Sequence, residues 1–293
     1  MRVFITGGSG YVGQAVVQAL VAEGHGVEAL VREGADASVV SDIGAEPRRG
    51  HLGELDLLRA AGDRADAVIH LAPSDPDTDL AASTALQERL GDGPFVFTGG
   101  AWVYGDTDGV VNEDAPLAPP PIVAWRVANT RAIMSAADQG GRPVLIMPGA
   151  VYGDNAGLIT AAMIEPARSQ GYASYVADGR NHMALVHRRD LARLYVLALG
   201  APAGSRYLGV GESDVTMRHV AEAASRAAGA GGATRSLSLD EAQQVWGPLA
   251  DALALDQQFT ARHAREDLGW VSREAGILEY LPDSAVTAAV ARA

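Results

Sequence analysis

Short apolar or β-branched runs alternate with helix-periodic stretches over the first half of the chain. Arg2–Thr6, Val27–Val31, Ala67–Leu71, Phe95–Thr98 and Val144–Met147 read as strands, and the helical stretches between them predict a parallel sheet. After the first run, Val12, Val16, Val17, Leu20 and Val21 recur at the spacing of one helical face, and Gly24 stands where that helix should stop. The opening unit is therefore strand, glycine turn, helix, strand. From about Gly153 the pattern loosens into helices at Asp190–Leu199, Thr216–Ala228 and Asp283–Arg292, with a short strand at Arg206–Val210. This predicts a sheet core over residues 1–152, joined by some later segments, and a smaller lobe over residues 153–293. No repeat with a period of 20 to 50 residues breaks that division.

A chain of 293 residues, 48% of them hydrophobic, can bury a large α/β core without staples. The absence of cysteine excludes disulfides, thiolate metal sites and a cysteine nucleophile, and suits a reducing cytoplasm. A formal net charge of -13 argues against nucleic acid as a partner. No apolar run approaches the roughly 20 residues of a membrane span. The expected protein is soluble and cytoplasmic with a small-molecule partner, its oligomeric state unset by sequence. No spacing of His, Asp and Glu suggests a metal site.

Thr6-Gly7-Gly8-Ser9-Gly10-Tyr11-Val12-Gly13 follows the first strand and opens the first helix. It satisfies both G-x-G-x-x-G and T-G-x-x-G-x-x-G, a strong dinucleotide signal in this context and otherwise merely a flexible turn. Glycines permit a tight turn and let backbone N–H groups approach a pyrophosphate, which the positive end of the helix dipole stabilises. Gly7, Ser9, Gly10, Tyr11, Val12 and Gly13 are thus the expected phosphate cradle. The second strand ends in Arg32, where an NAD site usually places an acidic residue. A guanidinium there grips a 2′-phosphate by charge-assisted hydrogen bonds, which favours NADP(H). Glu33, one residue later, keeps a ribose-hydroxyl contact open.

With this turn the chain resembles the extended short-chain dehydrogenase/reductases, the nucleotide-sugar epimerase and dehydratase group. Further matches follow in order: Asp66-Ala-Val-Ile-His70-Leu71-Ala72, Val103-Tyr104-Gly105, Pro148-Gly-Ala-Val-Tyr152-Gly153, Val186-His187-Arg-Arg-Asp190-Leu-Ala192 and Asp267-Leu-Gly-Trp270. The resemblance implies a Rossmann fold: a doubly wound parallel sheet with a smaller C-terminal α/β substrate lobe. It places His51 and Leu52 near adenine, and Leu71, Ala72, Thr98, Pro148, Gly149, Ala150 and Val151 along the cofactor groove. His70 reads as a packed residue rather than a ligand.

The family's chemistry uses a serine or threonine after the fifth strand and a Tyr-x-x-x-Lys pair one helical turn apart, with lysine lowering the pKa of the proton-carrying tyrosine. Here Gly100 takes the hydroxyl position, Trp125 the tyrosine position and Asn129 the lysine position, and the whole chain contains no lysine. An indole N–H donates a hydrogen bond but is no general acid near neutral pH. Tyr104 and His187 remain as catalytic candidates, each with a structural reading beside it: a pocket wall for Tyr104 and a strand–helix junction for His187. Gly99, Gly100, Trp102, Tyr104, Trp125, Tyr152, Asn181 and His182 are the expected substrate contacts.

Trp102-Val-Tyr-Gly, Asn112-Glu-Asp-Ala-Pro and Ala124-Trp125-Arg126 resemble an atypical branch of these reductases, some of which serve antibiotic pathways. That implies an NADPH-dependent ketoreductase acting on an aromatic polyketide of the angucyclinone kind, with the substrate assisting its own reduction. The alternatives are a nucleotide-sugar epimerase or dehydratase, which needs a tyrosinate base, and a non-catalytic NADP(H) sensor or scaffold.

Overall fold

The computed structural model describes residues 1–281. Its centre is a seven-stranded parallel sheet of β1 (Arg2–Thr6), β2 (Gly26–Val31), β3 (Glu46–Arg49), β4 (Ala67–His70), β5 (Pro94–Thr98), β6 (Arg142–Pro148) and β7 (Arg206–Gly209). The strand order is β7-β6-β5-β4-β1-β2-β3. The order reverses beside β1, and the crevice at such a switch point, outside the strand C-termini, is where open α/β sheets hold ligands. β4 is buried along its whole length, and β1, β5 and β6 along most of theirs, as strands covered on both faces must be.

The apolar runs mark these strands to within two residues at each end. β3 carries no apolar run: its Glu-Pro-Arg-Arg sequence is that of a polar edge strand, held by pairing with β2 from Glu28–Glu46 to Val31–Arg49. The first helix, α1 (Tyr11–Ala22), ends as its glycine stop predicts, with Gly24 at φ +78. Three more helices bear on the site: α2 (Leu55–Arg64), α3 (Pro76–Gln87) and α4 (Trp125–Met134).

Several segments of the second half return to the sheet. β7 pairs with β6, and α5 (Arg188–Ala198) lies against α1. A second apolar core, with Met163, Tyr175, Met217, Val220 and Leu253 among its members, builds the remaining lobe. There Ala173–Val176 pairs with Thr234–Leu237, and Ala150–Gly153 with Leu185–His187. The helix expected at Thr216–Ala228 runs over Met217–Ala227, with the Thr216 hydroxyl capping its first turn. The helix expected at Asp283–Arg292 lies outside the described residues. Among the described residues, no helix is long and apolar enough to cross a membrane, and no cluster of His, Asp and Glu is arranged to hold a metal.

Asp190, fully buried in the first turn of α5, fastens the late chain to the sheet domain. Its carboxylate pairs with Arg193 and accepts hydrogen bonds from the Ser272 hydroxyl at 2.7 Å and the Arg273 and Glu274 amides at 3.0 and 3.2 Å. Its carbonyl accepts from the Trp270 indole at 2.8 Å. Asp190→Ala strips the acceptor from Ser272, Arg273 and Glu274, keeps the carbonyl that Trp270 uses, and leaves Arg193 only the more distant Glu274 carboxylate at 3.7 Å. The expected loss is about 3–5 kcal/mol, read as a lowered urea midpoint, with Asp190→Asn losing less.

Candidate active site

The glycine turn is shaped by contacts that leave no room for side chains. A Cβ on Gly13 would sit 2.0 Å from the Gly7 carbonyl oxygen, and one on Gly7, itself at φ +74, would sit 2.7 Å from the Ala72 amide nitrogen. Gly10 caps α1 in an extended conformation without a side-chain cap, and no acidic residue occupies the first turn. The positive end of α1 is therefore left for an anionic ligand.

A cleft of about 580 Å³ opens over this turn. At one end Arg32, His51 and Leu52 line it; in the middle are Gly7 and Ser9 through Gly13; at the other end are Leu71, Ala72 and Thr98. Glu33 is not among its lining residues, whereas Leu30, His70, Pro73, Asp79 and Arg126 are. Arg49 donates to the carbonyls of Arg32 and Ala35 at 2.9 and 2.7 Å, which fixes the loop that carries Arg32.

Pro148 through Val151 lie outside this lining. That stretch crosses to the lobe: the Gly149 amide donates to Gly209 at 3.1 Å and the Ala150 amide to Ala184 at 2.7 Å. Tyr11 joins the same two parts, donating its hydroxyl proton to the Gly153 carbonyl at 2.7 Å while the Arg188 guanidinium lies over its ring.

The far end of the cleft holds a polar cluster drawn from six elements. His70 at the end of β4 bonds through Nδ1 to the Thr6 hydroxyl at 2.7 Å, and its Nε2 lies 3.7 Å from the Asp79 carboxylate on α3. Asn129 on α4 donates to that carboxylate at 3.2 Å and to the Pro76 carbonyl at 2.7 Å. Burial raises the Asp79 pKa, but His70, Asn129 and Arg126 outweigh it and hold the carboxyl below the usual range. Thr98 donates to the His70 carbonyl at 2.9 Å, and its hydroxyl lies 2.7 Å from that of Tyr195, which is wholly buried. Burial pushes the Tyr195 phenol well above its ordinary value.

The chain matches the NAD dependent epimerase/dehydratase family over residues 3–208. It belongs to that family. Relatives include an uncharacterized protein of Saccharomyces cerevisiae, 29% identical over 299 residues that cover 95% of this chain and 97% of that one. A ketoreductase of Stigmatella aurantiaca, named for a 3-oxo dihydroquinoline-1-oxide, is 26% identical over 236 residues, 74% of this chain and 70% of the other. A dTDP-glucose 4,6-dehydratase from Streptomyces venezuelae, solved with NAD, superposes with a TM-score of 0.81 at 20% identity, covering 98% and 96% of the two chains. A human epimerase family protein solved with NADPH gives 0.76 at 22% identity, covering 98% and 99%.

As a member of this epimerase/dehydratase family, the chain departs from the catalytic pattern that its resemblance implied. The ring of Trp125 stacks under the Arg126 guanidinium at 4.4 Å, and Asn129 is spent on Asp79 and Pro76. A Cβ at Gly100 would meet nothing within 4 Å, so space for a hydroxyl exists and the side chain is simply missing. Gly99, Gly100 and Tyr104 line a separate cavity of about 550 Å³, together with Val127 and Arg131 of α4. Arg126 thus faces the first cleft and its neighbour Val127 the second, as adjacent helical positions point apart.

The remaining candidates are held by the scaffold. Tyr104 is 2% exposed and donates to the Glu113 carbonyl at 3.0 Å; burial and then Glu113 raise its pKa, which makes it a weaker acid than a free phenol. His187 is buried against Tyr152 and Tyr280, accepts from the Arg189 amide at 3.3 Å, and has its pKa lowered by burial. Neither it nor Tyr152, whose hydroxyl donates to Ala275 at 2.9 Å, lines either cavity. Asn181 donates to the carbonyls of Leu253 and Leu255 at 2.9 and 3.0 Å. His182 pairs with Asp256 at 2.8 Å and shares a narrow crevice with Trp102.

Arg126, Asp79 and Tyr195 are the residues that sequence reading passed over. The Ala124-Trp125-Arg126 wording was the available signal for Arg126; nothing local marks the other two. Gly13→Ala is expected to keep the secondary structure but lower dinucleotide affinity at least about tenfold, the equivalent of about 1.4 kcal/mol, measured by fluorescence titration with NADPH. Gly100→Ser should fold and bind as the parent does.

Proposed function

We propose that the chain is an NADPH-dependent ketoreductase that reduces a ketone on a bulky aromatic metabolite of the polyketide kind. The observation that carries this reading is the missing proton-handling set: Trp125 and Asn129 on α4 stand at the tyrosine and lysine positions, and Gly100, which lines the neighbouring cavity, at the hydroxyl position. Oxidising an alcohol, as an epimerase or dehydratase must, requires a base at that place. Delivering hydride to a ketone requires orientation and stabilisation of the oxygen. Losing a general acid costs about 10²–10⁴-fold, roughly 3–5 kcal/mol, whereas orienting the reactants is worth about 7–11 kcal/mol.

The cleft fits a dinucleotide: a Cβ on Gly7 or Gly13 would run into backbone, the helix end has no side-chain cap, and the buried His70 Nε2 makes no hydrogen bond. When bound, the reduced nicotinamide would supply the hydride. Arg32 and the loop fixed by Arg49 would take the 2′-phosphate, and Thr98 with Leu71 and Ala72 would set the nicotinamide end. A phenolic hydroxyl beside the ketone would supply the proton that no side chain offers. The Stigmatella aurantiaca relative, named as a ketoreductase of a quinoline oxide, supports a fused-ring ketone as substrate. The reading places the protein in the cytoplasm, where NADPH is available.

The test follows NADPH absorbance with aromatic polyketide ketones and with nucleotide-sugar ketones. Oxidation with the former, abolished when the neighbouring hydroxyl is replaced by hydrogen, is expected. Turnover of nucleotide sugars alone would establish the epimerase or dehydratase alternative, and tight NADPH binding without any turnover would favour a sensor or scaffold. Arg32→Ala is expected to weaken NADPH about 10–100-fold, the loss of one or two charge-assisted hydrogen bonds, while leaving NADH affinity within about threefold.

A further inference from the structure

Arg126 lines the same cleft as Arg32, at the end where the reading above puts the nicotinamide. Its guanidinium is half-buried and stacked on the Trp125 ring at 4.4 Å, and among the described residues its hydrogen bonding is limited to the Thr98 carbonyl at 3.5 Å. Asp79 balances its charge through space, but that carboxylate is already engaged by Asn129 at 3.2 Å. Most of the guanidinium's N–H donors are therefore unspent. A desolvated cation with free donors, fixed by an aromatic face, is poised for an anion.

We infer that Arg126 is the catalytic residue that stabilises the negative charge developing on the substrate oxygen, an inference that rests on the ketone-reduction reading above. When bound, the reduced nicotinamide would supply a hydride with its electron pair to the carbonyl carbon and so be left oxidised. The π pair moves onto oxygen, where Arg126 donates hydrogen bonds, and that oxygen then takes a proton from the adjacent phenol or from water. Arginine does not give up its proton in this step: it contributes charge in a low-dielectric site, where charge is worth more than in water. The indole of Trp125, useless as an acid, acts as the platform that aims the guanidinium.

The decisive experiment uses the whole chain loaded with NADP⁺ and ortho-hydroxyacetophenone, whose phenolate mimics the reacting oxyanion and is read by absorbance without turnover. The wild type is expected to lower the phenol's apparent pKa. Arg126→Met should lose phenolate affinity about 10–100-fold while its NADPH affinity, measured by fluorescence, stays within about threefold. Arg126→Lys, which keeps the charge but not the planar fork, should lose about threefold to tenfold in phenolate affinity, and it decides the matter should Arg126→Met fail to fold by circular dichroism.

No phenol shift in the wild type, or unchanged phenolate affinity in the variants, would overturn the inference. An equal loss of NADPH affinity would do the same by making Arg126 a cofactor clamp. Arg126-dependent phenolate binding without ketone reduction would instead overturn the ketoreductase reading and leave the anion site standing.

Discussion

The structure depends on the close approach between α1 and the ends of β1 and β4. Gly13 sits so near the Gly7 carbonyl, and Gly7 so near the Ala72 backbone, that any side chain would push helix and sheet apart. Because nothing stands there, the helix N-terminus points across the strand ends and its unsatisfied N–H groups face the cleft. Tyr11, the first helical residue, extends the same constraint outward: its hydroxyl on Gly153 and its ring beneath Arg188 tie the turn to the lobe and to α5.

A second constraint is electrical. Asp79, His70, Asn129 and Arg126 come from α3, β4 and α4, so their charges balance only when these elements are packed. The result differs from a tyrosine–lysine pair in kind. The lysine position carries a neutral amide that serves the carboxylate, and a cation enters from the neighbouring residue on the helix. In place of an ionisable pair, this end of the cleft brings together a guanidinium, a carboxylate, an imidazole and an amide.

The candidates displaced by the structure share a physical cause. Tyr104, Tyr152 and His187 are buried and Asn181 and His182 partly so, and each has a hydrogen-bonding partner in the protein. Residue type made them look chemical. Their hydrogen bonds make them structural, joining loops of the lobe to one another and to the sheet domain.

The sequence by itself determined the parallel strands with apolar runs, the glycine turn, the stop at Gly24, Arg32 at the end of β2, and the lack of any lysine. These are local matters: backbone freedom, period and charge are written within a few residues. It also placed Gly7, Ser9–Gly13, Arg32, His51, Leu52, Leu71, Ala72 and Thr98 at what proved to be one cleft. The polar edge strand β3 carries no apolar signal and exists by pairing with β2. Only the tertiary structure decided that Pro148–Val151 lie outside the lining of that cleft, that Tyr195 reaches Thr98 across the fold, and that Arg126 lines the cleft while Val127 lines the neighbouring cavity. Those outcomes hang on how α4 and α5 are rotated against the sheet, and that rotation is set by contacts between residues tens of positions apart.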